Sequence, residues 1–312
     1  MNPKNYRLTA AQVKAELLKH TFLDPRYDAT FKILIADEEH PERLVHFLNA
    51  MLRLEGEQQI VSAVLQGTEQ EVIFGYEKKV VFDIACRNEK GEPIIVEMQR
   101  SGDDSFKDRM LYYAAVAIKK EITSGTVEYE LPRVYILALM NFCFDEHPKE
   151  HHHTVKLVNV EHGGVFYDKL TFVYVELPKF RKEEDELQDD EDRWFFALGC
   201  MGEVSERPEA LSGPIFEALF DSAKIAKLES MKIDQLSNKL ADEGIRNGEM
   251  AYATRKGREE GLEQGIGIGE LRNKIQMVET MLGNGIPWET ITKGTGLTPE
   301  ALDALKKQFI AT

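Results

Sequence analysis

The stretch VVFDIACRNEKGEPIIVEMQ, residues 80–99, decides how the chain is read. Two apolar runs, Val80 to Cys86 and Ile94 to Met98, flank a polar segment containing Gly91, the pattern of two strands joined by a turn. Both runs are rich in β-branched residues, as buried strands are, yet each carries one isolated acid, Asp83 and Glu97. Side chains alternate faces along a strand, so Ile95, Glu97 and Gln99 share a side, as do Val81, Asp83 and Ala85. A turn centred on Lys90 predicts Asp83 directly opposite Glu97, with Cβ atoms roughly 5 Å apart. Two carboxylates at that spacing repel each other and raise each other's pKa unless a cation lies between them. A hard divalent ion with its waters would meet the need. So would an arginine or lysine from a neighbouring element, and the spacing alone leaves both open.

Working outward, the hairpin is surrounded by Asp28-Ala-Thr-Phe-Lys32, Phe47-Leu-Asn-Ala50, Phe106-Lys-Asp-Arg109 with Tyr112-Tyr113, and Val175-Glu-Leu-Pro-Lys-Phe180. In that order, with Asp83 and Glu97-Met98-Gln99 as a D…E-x-Q pattern, the motifs resemble the Rpn family of recombination-promoting nucleases. Members are often labelled PD-(D/E)xK nuclease family transposases. The resemblance runs over about residues 24 to 200. It implies an α/β fold with a restriction-endonuclease-like PD-(D/E)XK core, a mixed sheet flanked by helices. It also implies a metal-dependent DNA endonuclease that hydrolyses phosphodiester bonds in recombination or mobile-element activity.

The same resemblance implies site residues. Asp83 and Glu97 would bind Mg²⁺ or Mn²⁺, with the backbone carbonyl of Met98 completing the protein's share. Gln99 stands where the general nuclease motif has lysine; a neutral amide orients water by hydrogen bonds but brings no charge. Lys32, Lys78, Lys79 and Arg109 are the candidates for a compensating cation. Asp28 is read either as a third acid of the site or as the N-cap of the helix that follows it. Tyr112 and Tyr113 are read as core residues in preference to base-stacking ones, and Glu176 with Lys179 as a structural pair.

Composition sets the bounds. The chain has 312 residues, 43% hydrophobic and 30% charged, enough for one large domain with a tail. Its three cysteines, Cys86, Cys143 and Cys200, are far apart and show no metal-type spacing, which predicts a reduced, cytoplasmic protein. The start of the chain lacks the apolar segment of a signal peptide, and no apolar run approaches the roughly 20 residues of a membrane helix. Net charge is −15, which opposes nucleic-acid binding unless the contact surface has a different local sign. Part of the excess is Glu183 to Asp192, with eight acids and no base, read as a solvated loop or helix face. His151-His-His153 follows a polar loop, Glu146-His-Pro-Lys-Glu150, and is not read as a shared metal site, since adjacent side chains diverge.

Along the chain, helices are expected over Thr9 to His20, Pro41 to Leu52, Asp104 to Glu121 and Glu186 to Met201, with Asp28 opening a further one. Strands are expected at Ile60 to Leu65, Glu71 to Gly75, the hairpin, Arg133 to Met140, Val155 to Val160 and Leu170 to Leu177. This gives a nuclease-like domain over 1–212. Residues 213–269 follow as a helical segment in which Gly257, Gly261, Gly265 and Gly269 recur every fourth position, an oligomer contact or a linker. Residues 270–312 form a small helix-turn-helix-like module, offering only Lys306 and Lys307 as bases on its second helix, and so read as a protein contact before a DNA reader. DNA is the expected partner, with self-association through the tail and no membrane contact. The rival reading is a catalytically silent oligomeric scaffold, or a DNA- or protein-binding module retaining the nuclease fold.

Overall fold

The computed structural model of the chain describes residues 8–67, 69–70, 80–102, 105–122, 130–144 and 149–310. The strand expected at 71–75 and the lysines Lys78 and Lys79 lie outside these residues. Two compact units form, Met1–Gly248 and Glu249–Thr312.

At the centre of the first unit lies a six-stranded mixed sheet. Its strands are β1 (Ala63–Leu65), β4 (Ile84–Asn88), β5 (Pro93–Gln99), β6 (Val134–Met140), β7 (His152–Val158) and β8 (Val165–Glu176), in the spatial order β1-β4-β5-β6-β8-β7. Two short strands, β2 (Glu69–Gln70) and β3 (Val80–Val81), pair separately. β5, β6 and β8 run parallel, and the outer pairings are antiparallel. The β4–β5 hairpin turns at Gly91, whose φ of +76° is one that L side chains rarely adopt. Asn88 closes that turn by accepting the N–H groups of Lys90 and Glu92 at 3.1 and 2.9 Å. A parallel step cannot be made by a tight turn, and between β5 and β6 the crossover contains helix α4 (Phe106–Glu121).

Alternation along the strands separates two cores. On one face Ile84, Cys86, Ile94 and Val96 pack under α2 (Asp28–Ile35), α3 (Pro41–Leu52), α5 (Asp190–Cys200) and α6 (Pro214–Ala223). Trp194 of α5 is fully buried there, 5.2 Å from the Phe47 ring and 5.0 Å from Phe216, and its indole N–H donates to His46 Nδ1 at 3.0 Å. On the other face Ile95, Ile136, Ala138 and Phe172 meet Phe106, Met110, Ala114 and Ala117, one stripe of α4 at helical spacing.

The division of the chain differs from the expected one at 212 and 269. Phe216, Leu219 and Phe220 of α6 are buried in the first core, as are Leu236 and Leu240 of α7 (Ser230–Gly283). The helical segment expected from 213 is not continuous: α6 ends at Ala223 and α7 begins at Ser230. Between them the backbone pairs with the segment after α1 (Ala10–Leu17): Leu23 N–H donates to Ala223 O at 2.9 Å and Ile225 N–H to Thr21 O at 3.0 Å. A continuous helix would satisfy those groups internally and leave Thr21–Leu23 without partners.

The second unit holds the end of α7, α8 (Trp288–Thr295) and α9 (Pro299–Ile310), with Val278, Ile291 and Leu302 as a small core. Among the described residues no helix is long and apolar enough to cross a membrane.

The acidic run is exposed over most of its length, as its reading as a solvated face expects, and differs at its C-terminal end. Asp192 is 5% exposed and takes the Lys182 ammonium at 2.6 Å. Glu191 takes Arg53 at 3.0 Å and His152 at 2.5 Å, and Asp190 lies 3.2 Å from His46. These acids tie α5 to α3 and to the edge strand β7, which opens at His152.

Candidate active site

Ile84 pairs with Val96 and Ala85 with Ile95, so the next pair toward the open end of the hairpin is Asp83 and Glu97. Each acid accepts a backbone N–H from the opposite strand. The Asp83 N–H donates to Glu97 Oε1 at 3.1 Å, and the Met98 N–H donates to Asp83 Oδ2 at 2.7 Å. Both side chains are buried, 8% and 6% exposed. Met98 therefore touches the site through its amide hydrogen, while its side chain lies in the core.

Helix α2 brings the third acid and a cation. Tyr27 is the N-cap of α2 and makes no side-chain cap bond; Asp28 is the first helical residue. The N-cap role open to Asp28 is thus not the one it has. Its carboxylate faces Lys32, one turn on, at 3.2 Å, and the same ammonium lies 3.1 Å from Asp83 Oδ1. Asp28 Oδ1 is buried and makes no directed hydrogen bond, leaving the Lys32 ammonium as its nearest charge. The Asp28 N–H points to Glu243 Oε1 of α7 at 3.4 Å.

The electrostatics follow from this crowding. Burial, then the Glu97 and Asp28 charges, push the Asp83 carboxyl well above the usual carboxylate range, with Lys32 opposing. Burial pushes Glu97 up to about 8, against its bond from the Asp83 N–H and the Arg109 charge. Burial disfavours the Lys32 ammonium, and Asp83 and Asp28 more than offset it, so Lys32 is raised. Tyr113, edge-on to Phe82 at 5.2 Å, is pushed up to about 12 by burial and by Glu97.

Gln99 is held from two sides. Its Oε1 accepts from Arg109 Nη2 at 2.6 Å, and its Nε2 donates to Ser101 O at 2.8 Å. The Arg109 guanidinium lies 5.1 Å from the Phe106 ring on its own helix. The hairpin, α2 and α4 thus bring Asp28, Lys32, Asp83, Glu97, Gln99 and Arg109 into one connected group. Tyr112 is exposed and Tyr113 packs on Phe82, so neither presents a stacked platform beside the acids. Glu176, fully buried, accepts from Lys179 and the Phe144 N–H and meets His153 Nε2 at 2.7 Å, a separate cluster. The three adjacent histidines diverge, His151 to the Phe180 and Phe195 rings, His152 to Glu191 and His153 to Glu176.

Glu243 was not legible as a neighbour of Asp28, because it lies in a helical run whose only sequence signal is charge.

The acids present only oxygen to the space that Lys32 fills, a donor set suited to a hard divalent ion. Among the described residues no group of three or more His, Cys, Asp or Glu side chains is placed to hold a metal ion, so an ion here would rest on two acids, with waters or substrate oxygens as its other ligands. No curated protein and no solved structure matches the chain significantly. A family model described as PD-(D/E)XK nuclease family transposase matches residues 25–243. That span opens just before Asp28, closes at Glu243, and takes in the whole mixed sheet with its acid-bearing hairpin. On that match and that geometry, the chain belongs to the PD-(D/E)XK nuclease family transposases.

Proposed function

We propose that the protein is a metal-dependent DNA endonuclease that hydrolyses phosphodiester bonds, and that its cutting serves recombination or mobile-element activity. The observation that carries this reading is the buried facing pair Asp83 and Glu97, joined at one lysine by Asp28. Two acids on one lysine with a buried third beside them are a poor way to stabilise a fold, since apolar side chains in the same space would serve it as well or better.

Asp83 and Glu97, with Asp28 beside them, would hold Mg²⁺ or Mn²⁺ through oxygen alone. Such an ion, when bound, supplies an acidified water and polarises the scissile phosphate. The chain's own groups do the positioning. The Met98 N–H fixes Asp83, the Asp83 N–H fixes Glu97, and Arg109 with Ser101 O sets the plane of the Gln99 amide. Gln99 orients water by hydrogen bonds; Lys32 and Arg109 bring the positive charge that Gln99 lacks. DNA is the substrate on this reading, met by a surface whose local sign departs from the net −15. We assign self-association to the tail and the cytoplasm as its place, in keeping with three unpaired cysteines.

A silent scaffold is the second reading, and one observation favours it: Lys32 already sits between Asp28 and Asp83 and neutralises them in part. Cleavage of supercoiled plasmid in Mg²⁺ or Mn²⁺ separates the two. The endonuclease reading expects cutting by wild type and none by Asp83→Ala or Glu97→Ala. Equal cutting by all three proteins would remove the site assignment, and intact plasmid throughout would favour the scaffold.

A further inference from the structure

Behind the carboxylates, on the other side of the α2 start, lies a cavity of about 290 Å³. It is near the lower size limit of ligand pockets, roughly 300 Å³, and is mostly apolar, as such pockets are. Val13, Leu17, Phe22 and Leu240 line its apolar part, and Tyr27 and Arg100 belong to its wall. Helix α1 has no buried residue, and α7, packed through Leu236 and Leu240, borders the space with Gly244, which has no side chain to fill it. No atom lies within 4 Å of where a Gly244 Cβ would stand.

The charges in the wall are not equivalent. Asp24 is held by Arg26 at 2.9 Å, and Glu16 by Lys19 at 2.6 Å. Arg100 has its guanidinium 3.9 Å over the Tyr27 ring and, among the described residues, no carboxylate. That is unusual in a chain with 54 acids to 39 bases, in which Arg26, Arg43, Arg53, Arg87 and Arg133 each hold one. A half-buried arginine without a counter-ion, beside an apolar space, fits a ligand that joins a flat apolar body to an anion.

Sequence adjacency says where such a ligand comes from. Tyr27 immediately precedes Asp28, and Arg100 immediately follows Gln99, so two residues of the cavity lining are chain neighbours of two residues of the acid cluster. We propose that the cavity is a subsite for one unstacked nucleotide of the nucleic-acid substrate, its base in the apolar space and its phosphate on Arg100. The proposal rests on the reading of the protein as a nuclease. Drawing one base out of the stack costs less at a mismatch or single-stranded site than in a fully paired duplex. The subsite therefore directs cutting toward unpaired or distorted positions.

The test measures binding of deoxynucleoside monophosphates to the full chain by ligand-observed NMR in EDTA, so that no phosphate rides on a metal ion. Gly244→Phe fills the cavity from an exposed helix position, and Arg100→Gln removes the charge; melting curves check that both are folded. Expected are binding at millimolar monophosphate by wild type, at least tenfold weaker binding by Arg100→Gln, and none by Gly244→Phe. Absence of binding to wild type, or equal binding by Gly244→Phe, overturns the subsite. So does equal binding of the deoxynucleoside lacking phosphate. Plasmid cleavage by the same wild-type sample keeps the two ideas apart. Binding with intact plasmid leaves a nucleotide pocket and removes the nuclease, whereas cut plasmid without monophosphate binding removes the pocket and leaves the nuclease.

Discussion

The Lys32 ammonium stands 3.1 Å from Asp83 Oδ1, in the space where an ion shared with Asp28 would sit. The lysine and a divalent ion are therefore competitors for the same oxygens. Lys32→Met should lower stability in EDTA by about 1–3 kcal/mol, since it leaves buried acids without a cation, a loss held down because water already screens the part-exposed lysine. Mg²⁺ or Mn²⁺ should then raise the melting temperature of the variant more than that of wild type, because binding no longer has to displace the ammonium. Identical metal responses in the two proteins would show that Lys32 does not occupy the ion's place.

Gln99→Lys restores the residue type of the general motif, yet it should not improve the enzyme. The new ammonium would face Arg109, whose Nη2 now donates to Gln99 Oε1 at 2.6 Å, so acceptor and donor become two like charges. Plasmid cleavage should fall by about tenfold or more, in the range seen when one positioning contact is lost. The double variant Gln99→Lys with Arg109→Gln should recover much of it. A faster single variant would mean that Arg109 does not hold residue 99 during the reaction.

Truncation should separate the two units at a place that composition does not mark. A chain ending at 248 keeps α6 and the start of α7 and should melt close to the full-length protein. One ending at 212 loses Phe216, Leu219, Phe220, Leu236 and Leu240 from the first core. Single large-to-small core changes cost about 2–5 kcal/mol each, so this chain should not fold. Light scattering on the 248 truncation also tests the tail: it should be smaller in assembly than the full chain, and an unchanged size would place self-association elsewhere.

The hairpin was the most legible part of the molecule because its information is local. Period-two alternation and a glycine turn fix the register, and the register alone sets Asp83 opposite Glu97. Asp28 was ambiguous because a cap and a ligand use the same residue type, and only the helix start one residue earlier, at Tyr27, decides between them. Residues 183–189 are solvated as read, but sequence shows the acids at 190 and 191 and hides their partners; Arg53, His46 and His152 arrive from α3 and β7. The helix break at 224 was invisible for a related reason. Nothing in Lys224–Ile225 disfavours helix, and the break is set by backbone pairing with Thr21–Leu23, some two hundred residues away.

His151 gives a pH dependence of definite sign. Its imidazole packs edge-on to Phe180 and Phe195, at 5.5 and 5.1 Å, and burial holds its pKa below the ordinary value of roughly 6.5. The unfolded chain therefore binds the proton more readily than the fold does. Stability should fall as pH drops through about 6.5 and go on falling until the folded-state value is passed. His151→Phe, which keeps the ring, should lose stability less steeply than wild type in melts between neutral pH and pH about 5.5. Parallel curves would show that His151 does not titrate with unfolding.

The order of the strands has a bearing on how the chain assembles. Asp83 and Glu97 are 14 residues apart and meet across a hairpin, an event of roughly 1–10 μs, whereas β6, the parallel partner of β5, requires the α4 crossover, and β8 beside β6 requires all the chain that follows. During synthesis the two acids can thus come face to face before the sheet that will bury them exists. Lys32 precedes both in sequence and leaves the ribosome earlier, so the cation that moderates their repulsion is already at hand when the hairpin closes.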